Sequence, residues 1–355
     1  MSELFAPKRT GVARWLPWAL GGAVILVAVL FPFLVDRPRF WLPNIGVRTI
    51  WLGIIAMSLV FLNRYVGLLS LAQVTVAGVS AYGVGVMMVT FEQPFVLAAL
   101  VGLVAGTLAG FLIALIAART KAIYFLMITL AIGQVFYSWA SQAIEVTNAR
   151  RGLAPVLKPD FGFLNLNDIT SFYYFVLVIG ILCYVLCRYA ASSTFGLTLQ
   201  GVRDSPDRMR ALGYNVNAYR IAATTFAAFI ASVGGIVLVL DRAQVDPDVV
   251  SLGSTLDVLV VAVIGGVGSL GGVFAGALVL TLLSNFAQNL TDRYMTLTGL
   301  VFIIVLLFAP AGLAGIGKQV KGLIARRRTP RHDAPQQDPS ADQSAEHAIT
   351  EGKQQ

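Results

Sequence analysis

Across the 355 residues of the chain, the side chains that usually carry catalysis are few and scattered. Its two histidines, His332 and His347, both fall in a polar C-terminal tail, so general acid–base work would rest on sparse carboxylates. Cys183 and Cys187 lie one helical turn apart in an apolar run, and without further ligands they read as small hydrophobes rather than a metal site. No G-x-x-x-x-G-K-[ST] phosphate loop, H-E-x-x-H or G-x-S-x-G occurs; the glycine-dense run 265–272 has no lysine, and Gly317-Lys318 is followed by Gln319. No enzyme, cofactor or metal constellation is expected. What stands out instead is polar chemistry inside apolar runs. Asp257 is either a functional carboxylate or a helix-start acid favoured by the macrodipole. Gln73, Thr75, Ser80, Thr129, Gln134 and Gln142 offer hydrogen bonds without fixed charge. Such groups suit a path for a zwitterionic or amide-like solute, and equally suit cross-links between helices at about 0.6 kcal/mol apiece.

A second cluster lies in a polar segment, residues 192–217, between two apolar runs. Ser205 is placed to cap a helix, Pro206 suits the first helical position, and Asp207 favours an N-terminus. Gly213 then serves as terminator. The expected product is a two-turn helix outside the membrane, with Arg208 and Arg210 on its surface and Met209 and Leu212 as apolar knobs. A short amphipathic helix of this kind either rests on the membrane surface or plugs a groove in a partner.

The elements that must position these groups follow from composition. The hydrophobic set is 57% of the chain and charged residues only 12%, with mean hydropathy +0.77. Soluble domains carry about 25% charged residues. A surface this poor in charge is one covered by lipid, which excludes a free cytosolic enzyme, a disulfide scaffold and a mostly disordered chain. Net charge is +8, yet the basic residues flank apolar runs rather than interleave with aromatics, so no nucleic-acid partner is expected. Runs of about 20 apolar residues, enough for one crossing, occur near Trp15–Val35, Ile45–Leu62, Val66–Phe91, Phe95–Ala117, Ile123–Gln142, Phe172–Tyr189, Ala218–Leu240 and Met295–Gly315. The stretch Ser254–Asn289 is too long for one span, and its glycine run cannot hold a helix at roughly 1 kcal/mol per glycine. A helical hairpin broken at the glycines gives an all-α polytopic membrane protein of about ten segments. With both termini cytoplasmic, 18 of the 26 basic residues lie inside, as the positive-inside rule asks. Residues 1–14 form the N-terminus, 15–316 the membrane domain with an external loop at 144–171, and 317–355 a polar tail of disordered character. The Arg326-Arg327-Arg328 run in that tail reads as a stop-transfer flank expected to hold the last span at the headgroups. Gly102, Gly106 and Gly110 repeat every four residues, a small-xxx-small ridge that serves either tight packing or sliding.

Several blocks resemble the permease subunits of branched-chain amino acid ABC transporters. Val202-Arg203-Asp204 and Arg210-Ala211-Leu212-Gly213 resemble that family's I-R-[DE]-x-x-x-x-A-x-A-L-G cytoplasmic helix, with Arg208 and Met209 replacing the usual small pair. Val66-Gly67-Leu68-Leu69-Ser70-Leu71 with Gly78 and Ala81-Tyr82 resembles its G-x-x-S-L-G…G-A-Y segment, Ala72 standing where glycine is common. Tyr124–Ala131, Gly265–Gly272 and Pro310-Ala311-Gly312-Leu313 are similar to three further blocks, in order over roughly residues 45–315. The family's external T-G-G-x-x-G-L departs here to Thr147-Asn148-Ala149-Arg150-Arg151-Gly152-Leu153, without the two early glycines. Relatives of this architecture carry branched-chain amino acids, amides or urea, and the departure leaves the solute open among them.

The resemblance implies a permease of the bacterial inner membrane that is not itself an enzyme. Its implied partners are a second homologous permease chain, two cytosolic ATP-binding subunits and an external solute-binding protein. It also implies that Arg203, Asp204, Asp207, Arg210, Ala211, Leu212 and Gly213 couple the spans to the ATPase. Two other readings stay open: an ion-coupled transporter or channel, and an ABC permease for sugars or nucleosides.

Overall fold

The computed structural model describes residues 26–33, 38–117, 120, 122–159, 165–290 and 299. The expected span Met295–Gly315, most of Trp15–Val35 and both terminal segments lie outside the described residues. Among the described residues the regular structure is helical, apart from one isolated antiparallel bridge between Leu153 and Val245. Six helices are long and apolar enough to cross a membrane. The chain is an all-helical, multi-pass membrane protein.

In chain order, α1 covers residues 26–33. Helix α2 spans Pro38–Val66 and α3 spans Gln73–Thr90. They are followed by α4 (Phe95–Ala117), α5 (Ala122–Gln142) and α6 (Ile169–Ser192). Two short helices come next, α7 (Thr194–Asp204) and α8 (Pro206–Ala211). The last three are α9 (Val216–Arg242), α10 (Leu252–Gly265) and α11 (Gly272–Leu290). Helix α2 opens with a wide π turn over Leu42–Val47; Pro43, which has no N–H to give to a regular i−4 bond, stands at its start.

One expected span needs correction. Val66–Phe91 is not continuous: Gly67 takes φ +72 and caps α2, its N–H donating to the Asn63 carbonyl, and helix resumes only at Gln73. A left-handed residue there is cheap only for glycine, and apolar composition alone could not reveal the break. The hairpin fares as expected. Helix α10 ends where Gly266 takes φ +94, and α11 begins at Gly272, whose N–H is accepted by Ser269 Oγ at 3.1 Å. Local caps fix the other starts: Asp168, Asn215 and Ser251 each accept a backbone N–H from three residues on.

Helices α3, α4 and α9 pack against one another and α9 also packs on α2, which α6 and the α10–α11 pair flank, while α5 lies at the edge. Burial does not follow hydropathy. The most apolar stretch of α2 is 83% buried, whereas that of α4, the more apolar helix, is 28% buried. In water such a helix would hide; in lipid its outer face is already solvated. The buried side of α4 is its glycine ridge. A Cβ on Gly102 would meet the Ser80 carbonyl at 2.7 Å, one on Gly106 would meet Ser80 Cβ at 2.9 Å, and one on Gly110 would overlap Ala228. The ridge therefore seats α4 against α3 and α9 at backbone distance.

Candidate functional site

The expected helix after residue 205 exists, and it is the second of a pair. Helix α7 buries Gly196, Leu199 and Val202 and so follows the membrane domain, while no side chain of α8 is fully buried. Two details differ from expectation. Ser205 stands at the N-cap of α8 but its side chain makes no capping bond, since its backbone (φ −151°) is fixed by the joint with α7. Met209 is not an outward knob: its sulfur lies against Gly201 of α7, 2.9 Å from where a Cβ would sit. Leu212 does face outward, 67% exposed, beside exposed Ala211 and Gly213. Gly213 ends the helix at φ +87, its N–H donating to the Arg210 carbonyl at 2.9 Å.

Charge on this pair is locally neutralised. Arg203 Nε donates to Asp204 Oδ1 at 2.8 Å, and Arg210 donates to Asp207 Oδ1 at 2.6 Å. Arg208, by contrast, is exposed and has no ion pair among the described residues. Arg203 also reaches away from its own segment. Its guanidinium donates to the Arg64 carbonyl in the last turn of α2, and its stem lies over Gly67. Arg64 in turn donates to the Gly268 carbonyl in the turn between α10 and α11. Two arginines thus tie α7 to the end of α2, and the end of α2 to the glycine turn. Nothing in local sequence spacing announces this relay, because its bonds join residues 139 and 204 positions apart.

The opposite end of α2 lies about 27 Å away, at 1.5 Å per residue over Arg48–Val66. There the loop 144–159 is pinned to the α9–α10 connection. Leu153 N–H donates to the Val245 carbonyl at 2.9 Å, Val245 N–H returns to Leu153 at 3.1 Å, and Val156 N–H donates to Ala243 at 2.8 Å. Asn148 and Ala149 occupy the two positions where the resembled motif carries glycine, and both keep left-handed backbones, φ +58 and +50. The turn geometry is retained without glycine: asparagine tolerates this region, alanine only at a cost. Lys158 sits 3.8 Å above the Phe172 ring. Burial pushes its ammonium pKa down, and the Asp241 carboxylate opposes that shift. Asp241 accepts from Trp51 Nε1 at 2.9 Å.

Of the polar groups expected at depth, Gln73 accepts from Ser58 Oγ at 3.2 Å and Ser80 donates to the Ser232 carbonyl at 2.9 Å. Thr129 accepts the Leu71 N–H at 3.2 Å. Thr75 is buried on α3 against Gly133 of α5 with no hydrogen-bond partner among the described residues, and Gln134 is half-buried beside that glycine. Gln73 and Ser80 bond, and Thr75 touches, a neighbouring helix, while Thr129 holds the turn before α3. Asp257 is set apart from them: it lies in the second turn of α10, exposed, on the wall of a cavity with Arg48 and Arg242. Neither arginine was anticipated, since each looks like an ordinary flank of an apolar run.

Lipid-facing spans around a glycine-tight core, with a helical pair outside them tied back to the span ends, define a multi-pass membrane permease. Residues 42–310 match the family described as branched-chain amino acid transport system / permease component, and the chain belongs to that family. It is 22% identical over 320 residues to the high-affinity branched-chain amino acid transport system permease protein LivM of Salmonella typhimurium, covering 82% of this chain and 73% of that one. The LivM protein of Escherichia coli matches to the same extent. The permease protein BraD of Pseudomonas aeruginosa is 28% identical over 171 residues, 45% of this chain and 55% of that one.

Proposed function

We propose that this chain is one permease subunit of an ATP-driven importer of branched-chain amino acids in the bacterial inner membrane. It pairs with a second, homologous permease chain, two cytosolic ATP-binding subunits and an external solute-binding protein. The ten-segment topology with both termini in the cytoplasm belongs to this reading, and it puts α7 and α8 inside and the loop 144–171 outside. The single observation that carries the coupling role is the build of α7–α8. Arg203 pairs with Asp204 and Arg210 with Asp207, its tip presents Leu212 to solvent, and Arg203 ties it to the Arg64 carbonyl and to Gly67 at the end of α2.

The mechanism follows from that build. An ATP-binding subunit that grips the Ala211-Leu212-Gly213 tip moves α8, and Met209 against Gly201 passes the motion to α7. Arg203 carries it to the last turn of α2, and Arg64 carries it to Gly268 in the hairpin turn. The hairpin then shifts relative to α2, so that ATP and loaded binding protein bias one two-state element. Gln73, Thr75, Ser80, Thr129 and Gln134 line the route of the solute in the conformation in which their interhelical contacts part.

The test is the double variant Ala211→Arg/Leu212→Asp in the assembled transporter. Leucine uptake is expected to vanish while the chain still inserts and its spans remain folded. Retained coupling of ATP hydrolysis to uptake would falsify the assignment. Sustained accumulation by this chain alone, driven only by an ion gradient, would overturn the ATP-driven reading altogether.

A further inference from the structure

At the Arg48 end of α2, two connecting segments meet in the one strand-like pairing among the described residues. Leu153 and Val245 exchange both backbone bonds, and Val156 N–H adds a third to the Ala243 carbonyl. The first segment follows α5 and precedes α6, and the second joins α9 to α10, so the pairing ties two parts of the bundle together. Its seat is α3. A Cβ on Gly85 would meet Val245 at 2.9 Å and Leu153 at 3.3 Å, and one on Gly78 would overlap Val250. Thr75, Gly78, Tyr82 and Gly85 share one face of α3 by their spacing. The same face meets α5. Thr75 Oγ1 lies 2.8 Å from where a Cβ of Gly133 would sit, and the Tyr82 ring stands edge-on to Phe136, centroids 6.2 Å apart. The Pro247–Val250 turn touches both helices.

This seam between α3 and α5 is poorly satisfied. The hydroxyls of Thr75 and Tyr82, 3% and 5% exposed, are buried without a hydrogen-bond partner among the described residues, and so is Asp246 Oδ1. The Asp246 carboxylate acts electrostatically on the Tyr82 hydroxyl. On the other side of α3, by contrast, Ser80 donates to the Ser232 carbonyl of α9. Buried polar atoms without partners are costly, and the cost is recovered when water or solute reaches them. We propose that the α3–α5 seam opens during transport and that the pairing of residues 152–156 with 243–245 is the strap that holds its outer end shut. The inference rests on the permease reading above, which puts both segments outside. Three backbone bonds between two short segments make a suitable latch, since a pairing of this size is marginal by itself and its groups can bond to water once parted. Gly152 permits the closure: it takes φ +70, and a Cβ there would overlap the Val245 carbonyl.

The test locks the strap in the complete transporter, in proteoliposomes with its binding protein and leucine as probe. Residues that exchange both bonds have Cα atoms about 5.5 Å apart, within reach of a disulfide, so Leu153→Cys/Val245→Cys is expected to cross-link under copper phenanthroline. Uptake should then fall at least tenfold and return with reductant, while each single variant is unaffected by the oxidant. Recovery on reduction shows that the double variant is folded and assembled. A cross-linked transporter that keeps its uptake overturns the strap, and so does a double variant that never cross-links. A second measurement reads the seam without relying on uptake. Labelling of Tyr82→Cys by an impermeant maleimide from outside, above the background of the buried Cys183 and Cys187, is expected to rise about tenfold when Gly152→Val is added. Equal labelling with and without Gly152→Val overturns the strap. An unaltered transporter that takes up no leucine overturns the solute reading instead, and the labelling still judges the strap, so the two failures are distinguishable.

Discussion

The two ends of α2 hold charge in opposite ways. At the Val66 end the ion pairs are neighbours in sequence, Arg203 with Asp204 and Arg210 with Asp207, and both are largely exposed. Such pairs contribute little to stability, about 0–1 kcal/mol, and Arg208 beside them stays exposed with no ion pair among the described residues. At the Arg48 end the charges come from separate helices and meet around a cavity. There the arrangement depends on the packing of α2, α9 and α10, and a change in that packing changes the site. The Arg203–Arg64–Gly268 contacts all lie at the Val66 end, where they join α7, α2 and the turn between α10 and α11.

The largest effect expected from breaking this contrast is at the docking tip. Loss of an interface hot spot costs roughly 2–4 kcal/mol, or about 30- to 1000-fold, so Ala211→Arg/Leu212→Asp should abolish uptake measured per inserted transporter. Next comes the relay. Arg203→Ala removes a charged donor to a backbone carbonyl, and about tenfold less solute moved per ATP hydrolysed is expected; Arg203→Lys, which keeps a cation and a stem, should lose less. An equal loss in both variants would show that the stem over Gly67 carries no part of the coupling. At the outer end, Ala149→Gly relieves a left-handed alanine and is expected to stabilise the protein by about 1 kcal/mol in thermal unfolding. The smallest effect belongs to Asp207→Asn. It breaks an exposed pair and should change both stability and uptake less than twofold; a large loss would mean that the pair itself is read by the partner.

How legible the molecule was in its sequence varied by element. The bounds expected for Phe95–Ala117 agree with α4, because a long lipid-facing helix is bounded by Pro94 and by the end of its apolar run. The glycine-broken hairpin was equally plain. The break at Gly67 was not, since residues 67–72 are as apolar as the helices on either side. The polar segment 192–217 was legible as a motif, but its first helix, α7, and the inward turn of Met209 were missed, because each depends on what the segment packs against.

Composition and local spacing by themselves determined that this chain lives in lipid, that most of its apolar runs are spans, and that a short capped helix interrupts them. These are properties of consecutive residues: lipid demands internally satisfied backbone, and caps act within one turn. Only the tertiary structure decided which face of each span is buried and which arginine reaches which carbonyl. It also decided that Arg48, Arg242, Asp257 and Thr281 share one cavity. The two arginine bonds join residues 139 and 204 positions apart, and nothing in the spacing of a sequence encodes a contact that exists only after several helices have packed.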